Sequence, residues 1–410
     1  MRRITWILLL LLAFAIPWEY SLNLGEPLGN VARIVGVLVL LAVVPAIFQA
    51  GRMRTPCAFC WITLALYLWF CCTCLWSIDA MESLVKLRSY FQEFMIVWLV
   101  WEFADTPGDL RNLLRATVAG SWVLALLTLA AFHSPEAVAA GQIRFVAYGQ
   151  DPNEVARFID IGFPLAAILV HCERRWPWRL MAIGFLPVGI VAVLLTASRS
   201  GFLAALVALA GSLVLLAHGH ARRVAVGAFA LPPFLAAIWL IVPAGTIGRL
   251  ATIPEQLQGG DLNQRTNIWA AGWEAFVHAP WFGSGAGSFV EAAHTTPIDT
   301  AHNTVLSILV GGGLCALFLA SLLVALAVRA ALQSHGLFRL ALVTSLLVWA
   351  ITSLIATVEE NRTTWLLFGI VLLAARLSEE DPLGLAACFR LAPPRLPGCS
   401  VPAFAVEPGS

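Results

Sequence analysis

Three polar stretches carry the residue types that could do chemistry. The first runs from Arg144 through Tyr148-Gly149-Gln150-Asp151-Pro152-Asn153-Glu154 to Arg157. The second is Thr196-Ala197-Ser198-Arg199-Ser200-Gly201, wedged between two apolar runs. The third fills Gly245 to Asn303, with Arg265 near its middle and His302-Asn303 at its end. An arginine fork matches phosphate oxygens bidentately. Ser-Arg-Ser-Gly offers hydroxyls, a glycine and a guanidinium together, in a turn that needs no charge to form. Arg265 falls where a helix begins, so its charge adds to the positive helix end. Histidine is the side chain best suited to taking a proton near neutral pH. The combination points to chemistry on an anionic, phosphate-bearing substrate. The plainer alternatives are arginines that snorkel to an interface and a histidine that caps a helix.

These stretches need elements to hold them, and the composition says what those are. Of 410 residues, 60% are hydrophobic and 12% charged, about half the charged share of a soluble domain. The chain reads as an all-α polytopic integral membrane protein. Apolar runs at about 4–20, 30–49, 57–76, 84–103, 112–132, 154–171, 179–197, 200–217, 223–243, 302–328, 338–357 and 363–377 predict about twelve transmembrane helices. Four regions follow: spans over 1–243, a large loop with amphipathic helices over 244–301, further spans over 302–380, and a Pro-rich tail over 381–410. The net charge of +1 argues against a nucleic-acid partner; membrane lipids are the expected surroundings.

Arginine placement sets the expected orientation. Counting loops alternately from a cytoplasmic N-terminus leaves only Arg33, Arg88, Arg144, Arg157, Arg199, Arg249, Arg265 and Arg362 outside. The larger set, from Arg2 and Arg3 to Arg376, stays inside. Both termini are then cytoplasmic and the Gly245–Asn303 loop external. The outside arginines are those that orientation alone leaves unexplained.

Local signals refine this picture. Asp151-Pro152 is a turn and Asn153 a plausible helix cap. Asp261 or Asn263 could cap the helix holding Arg265, with Trp269, Trp273 and Phe276 on one interfacial face. The Gly283–Phe289 turn lacks the Lys and Ser/Thr of a phosphate-binding P-loop. Lys86 with Arg88, and Glu359-Glu360 with Arg362, read as an interfacial anchor and as charge pairing at a helix end. Cys57 and Cys60 form a CxxC with no second pair or histidine cluster, so the cysteines read as small apolar helix residues. Residues 2–16 resemble a signal peptide; a retained first span is the stronger reading, because a second apolar run follows closely.

Taken in order, the Thr-x-Ser-Arg-x-Gly turn (Thr196–Gly201), Arg265 with Trp269, the Pro-x-x-Gly-x-Gly turn from Pro280 to Gly285, and His302-Asn303 resemble the O-antigen ligase and polymerase superfamily. The Gly149 and Asp151-Pro152-Asn153 stretch fits the same pattern. The resemblance implies glycosyl transfer at the periplasmic face of the bacterial inner membrane. The donor would be an O-antigen glycan on undecaprenyl diphosphate, and the acceptor a sugar hydroxyl of lipid A-core. In that picture Arg199 and Arg265 hold the diphosphate, with Arg157 and Arg144 as further candidates. His302 is the general base, and Asn303, Ser198, Asp151 and Asn153 support the site. No external Asp-x-Asp motif offers metal ligands, so neither metal, ATP nor another cofactor is expected. Thr300-Ala301 before His302 departs from the Trp-Leu that protein O-oligosaccharyltransferases place there, and the short 133–153 loop departs from polymerases, so the ligase is favoured. A lipid-linked sugar transporter is the alternative of a different class; such proteins usually show internal repeats and midplane binding residues.

Overall fold

The computed structural model describes residues 1–25, 29–218, 221–260, 264–296 and 300–389. Among them the chain is helical, save one bridge between Asn23 and Asn30. The helices in order are α1 (Arg2–Ala15), α2 (Val31–Ala50), α3 (Ala58–Thr73), α4 (Ala80–Phe103), α5 (Pro107–Phe132), α6 (Pro135–Ala139), α7 (Pro152–Cys172), α8 (Trp176–Leu195) and α9 (Arg199–Ala217). They continue as α10 (Ala221–Ile241), α11 (Ala244–Ala251), α12 (Ile253–Gln258), α13 (Arg265–His278), α14 (Phe289–Ala292), α15 (Thr304–Gln333), α16 (Gly336–Ser353), α17 (Arg362–Glu380) and α18 (Pro382–Phe389).

Eight helices among the described residues are long and apolar enough to cross a membrane, and the protein is a polytopic membrane protein. The other four expected spans are present as helices with a reason to fall short. Helix α3 has only 16 residues. Helices α4 and α17 carry charges that the bundle pairs, such as Lys86 with Glu360 at 2.7 Å and Arg362 with Glu19. Helix α10 is one arm of a broken segment, with Pro232–Ile241 and Ala244–Gln256 bent at 107°.

Helix α7 is the central post. It packs on α5, α8, α9 and α16, and 94% of its apolar window is buried against 28% for α2, so α7 is set by its neighbours and α2 faces outward. The approach of α9 to α7 is close enough that a Cβ on Gly201 would sit 2.2 Å from the Ala156 Cβ; the glycine in the Ser-Arg-Ser-Gly turn is required by that contact. Arg2, Arg54, Glu102, Asp105 and Glu380, all expected on the cytoplasmic side, join in one ion-pair network.

The glycine-rich turn after α13 has a structural task. Ser284 N donates to Val310 O at 2.8 Å and Gly285 N to Gly311 O at 3.1 Å. This docks the turn on the break in α15, where Gly313 adopts φ 67°. A Cβ on Gly283 would lie 2.6 Å from the Gly311 backbone. The turn thereby ties the 244–301 segment to the bundle and satisfies carbonyls that the break frees from the helix ladder.

Candidate active site: a cationic cavity closed by His302

The polar stretches converge. A cavity of about 340 Å³ is lined by Arg144, Asp151, Asn153, Arg199, Ser200, Arg249, Gln256, Arg265 and His302, with apolar wall from Leu203, Ile253 and Ile355. Segments separated by more than a hundred residues meet there because α7, α9, α13 and α15 all begin at this end of the bundle.

The turn before α9 sets the arginines. Ser198 is its N-cap, accepting from Gly201 N at 3.1 Å, and donates to Asn153 Oδ1 at 2.7 Å. This hydrogen bond fastens the start of α9 to the start of α7. Asp151 caps α7 by accepting from Asn153 N at 2.8 Å, so the cap lies at Asp151 and not at Asn153, and Asn153 becomes the inter-helix link. Ala197 stands at φ 48°, a conformation uncommon for a residue with a side chain. Its carbonyl and that of Thr196 point outward and accept from Arg249 Nε and Arg144 Nε, each at 3.2 Å. Arg199 Nε reaches Arg249 O at 3.4 Å. The turn is thus a frame that fixes two guanidinium stems by their Nε atoms.

The electrostatics are those of crowded like charges. Burial holds the Arg144 guanidinium below its ordinary pKa, and Arg249, Arg265 and Arg199 add repulsion while Asp151 opposes it. Arg265 is lowered by burial and relieved by Asp151. Among the described residues none of Arg144, Arg249 and Arg265 makes an ion pair within 4.0 Å. A cluster of cations held against its own repulsion in a half-buried cavity is arranged for an anion.

Arg265 is the first residue of α13, behind Gln264 in a left-handed turn; Asp261 and Asn263, the expected caps, lie outside the described residues. Trp269 and Phe276 turn inward and pack with Ile268, Phe289 and Leu306, whereas Trp273 is exposed. The three share one face, with the Trp273 and Phe276 rings 5.1 Å apart, but that face is packed at Trp269 and Phe276 and open only at Trp273, because the helix is clamped between α14 and α15.

His302 stands at φ 45°, again a strained position for a side-chain-bearing residue, with Thr300 Oγ1 3.4 Å from its Nδ1. Asn303 caps α15, accepting from Leu306 N at 2.9 Å and donating to Leu354 O at 3.0 Å. It supports the histidine through the backbone. Arg157 does not line the cavity. One turn into α7 its side chain enters the bundle, 1% exposed, against the Phe158 ring and 3.8 Å from Glu154. Arg249 does line it; it belonged to the outside arginines of the sequence, and that was the signal available for it. Arg88 is exposed, as an anchor would be.

Fold and site together define a helical membrane protein with an arginine-lined cavity at one end of its bundle. Residues 182–321 match the family model described as O-antigen ligase. The match supports the O-antigen ligase superfamily and, broadly, a function of the ligase and polymerase kind. It spans Arg199, Arg249, Arg265 and His302 and leaves Arg144, Asp151 and Asn153 outside. No curated protein matches the chain.

Proposed function

We propose that the protein is an O-antigen ligase of the inner membrane, transferring a glycan from undecaprenyl diphosphate to a sugar hydroxyl of lipid A-core at the periplasmic face. The observation that carries this reading is the sharing of one cavity by four arginines and His302. Arg199 and Arg265, with Arg144 and Arg249, hold the donor diphosphate. The isoprenyl chain leaves along Leu203, Ile253 and Ile355. The acceptor hydroxyl attacks the anomeric carbon while His302 takes its proton. The bond from that carbon to the phosphate oxygen breaks on the opposite face, and undecaprenyl diphosphate departs with the electron pair. Attack and departure on opposite faces invert the configuration. The guanidinium groups neutralise the charge that grows on the leaving oxygen, which is the part a divalent ion plays elsewhere. The diphosphate linkage supplies the driving force, so ATP has no role.

The test is a reconstituted reaction of purified protein, undecaprenyl-diphosphate-linked glycan and lipid A-core, without nucleotide or divalent metal. A joined product with inverted linkage is expected. A product formed only with a second lipid-linked glycan as acceptor would make the protein a polymerase, and dependence on nucleotide or on a cation would overturn the mechanism.

A further inference from the structure

A second cavity, of about 330 Å³, lies behind the same wall. The segment around residues 300–302 divides the two: Thr300 and Ala301 face the second cavity and His302 the first. The 355–357 segment does likewise, giving Ile355 to the first cavity and Thr357 to the second. The two cavities have opposite charge. The charged lining of the second is Asp79, Glu82, Glu291 and Glu360 with Lys86, four carboxylates against one amine. Lys86 is already engaged by Glu360 at 2.7 Å.

The second cavity is also polar beneath its surface. Glu359 is 8% exposed, a carboxyl buried beneath the lining. Its neighbours Glu360, Lys86 and Ser307, the last of them a hydrogen-bond partner, line the cavity, so Glu359 stands beneath that wall without lining it. Thr357 lines the cavity too, with its hydroxyl oxygen buried and unpartnered. A buried hydroxyl left open in this way, beside carboxylates that only accept, calls for a ligand rich in hydrogen-bonding groups. Phe289 and Phe70 supply apolar wall for a ring face. The negative lining turns phosphate away. A cation is the other candidate for carboxylates, but no three His, Cys, Asp or Glu side chains among the described residues come together closely enough to hold one.

We infer that this second cavity binds a phosphate-free sugar ring of the acceptor, its hydroxyls on the carboxylates of Glu82, Glu291 and Glu360, and delivers one hydroxyl over the dividing segment to His302. This rests on the proposed glycosyl transfer only for the name of the acceptor; the sugar site itself stands or falls separately. The charge pattern then does the sorting. The donor diphosphate is drawn to one side of His302, and an uncharged polyol is accepted on the other.

The test uses the full-length protein in nanodiscs and the double variant Glu82→Ala/Glu291→Ala, both exposed positions whose loss leaves the ion pair of Lys86 intact. Binding of dephosphorylated core oligosaccharide is read by saturation-transfer NMR. Wild type and Arg199→Ala/Arg265→Ala should bind it, and the acidic-cavity variant should bind at least about tenfold more weakly, the loss expected of one charge-assisted hydrogen bond. Undecaprenyl diphosphate should show the reverse pattern. In the transfer reaction the acceptor KM should rise with the donor KM unchanged. Equal oligosaccharide binding by wild type and variant, no binding by wild type, a rise in donor KM alone, or binding that requires calcium would each overturn the inference. Binding as expected without transfer would leave the sugar site in place and remove the proposed function.

Discussion

Replacing Arg265 by alanine separates what the arginines do for function from what they do for stability. A cavity of 340 Å³ is equivalent to a sphere roughly 9 Å across, and two unit charges at that distance repel by about 2 kcal/mol at an effective dielectric constant near 20. Partial exposure and salt reduce this to about 1 kcal/mol. Arg265 stands at the first position of α13 with no side-chain cap before it, and the positive end of a helix disfavours a cation. Its removal therefore relieves repulsion and costs the empty protein little packing. The donor loses its contact with a bidentate fork, and hydrogen bonds to charged groups are worth about 1.5–3 kcal/mol. The expected loss in kcat/KM for the donor is about 10- to 150-fold. The assay pairs that rate with a melting temperature from tryptophan fluorescence, with and without inorganic pyrophosphate. Arg265→Ala should melt at or above the wild-type temperature, respond less to pyrophosphate, and transfer slowly. A variant that melts several degrees lower would make the arginine a structural element, and a rate within twofold of wild type would remove it from the donor site.

His302→Ala should fold and still bind donor while transfer slows by about 10²- to 10⁴-fold; a normal rate would end its assignment as base. Glu359, pushed up to about 8 by burial and by Glu360, holds in the folded state a proton that the unfolded chain releases near 4.5. Its contribution to stability is full below pH 4.5 and is lost as pH rises to about 8, so Glu359→Gln should flatten that part of the stability–pH curve, and an unchanged curve would contradict the assignment. Ser284→Cys in a cysteine-free background, placed on the docked turn of the 244–301 segment, should react with an impermeant reagent added outside intact spheroplasts; labelling only after lysis would reverse the expected orientation.

How much of this was legible in the sequence depended on whether a signal was local. Arg199, Arg265 and His302 stood out because each is a polar residue at the edge of an apolar run on the arginine-poor side, and all three line the cavity. Arg157 met the same description but sits one turn further into α7, where 3.6-residue periodicity sends it into the bundle. Arg249 is one of the outside arginines, but its neighbours spell no motif; it reaches the cavity through the 107° bend that follows α10, a tertiary feature. The partition between the two cavities was not legible at all, since the chain near Thr300–His302 meets the chain near Ile355–Thr357 only through tertiary contacts, among them Thr304 Oγ1 donating to Ala356 O at 2.9 Å. The left-handed backbone at Ala197 and His302 was equally hidden, because neither residue type announces it. Both strained residues flank the cationic cavity, one turning carbonyls onto arginine stems and the other setting the histidine at the wall between the cavities. Strain of that kind persists only where surrounding contacts enforce it, and here the enforcing contacts are caps and turns: Ser198 on Gly201, Asn153 on Ser198, and Asn303 on Leu306 and Leu354. The short polar motifs of the sequence are therefore the fasteners of the cavity as well as the source of its proposed reacting groups, and that is why their order along the chain follows the lining of the cavity.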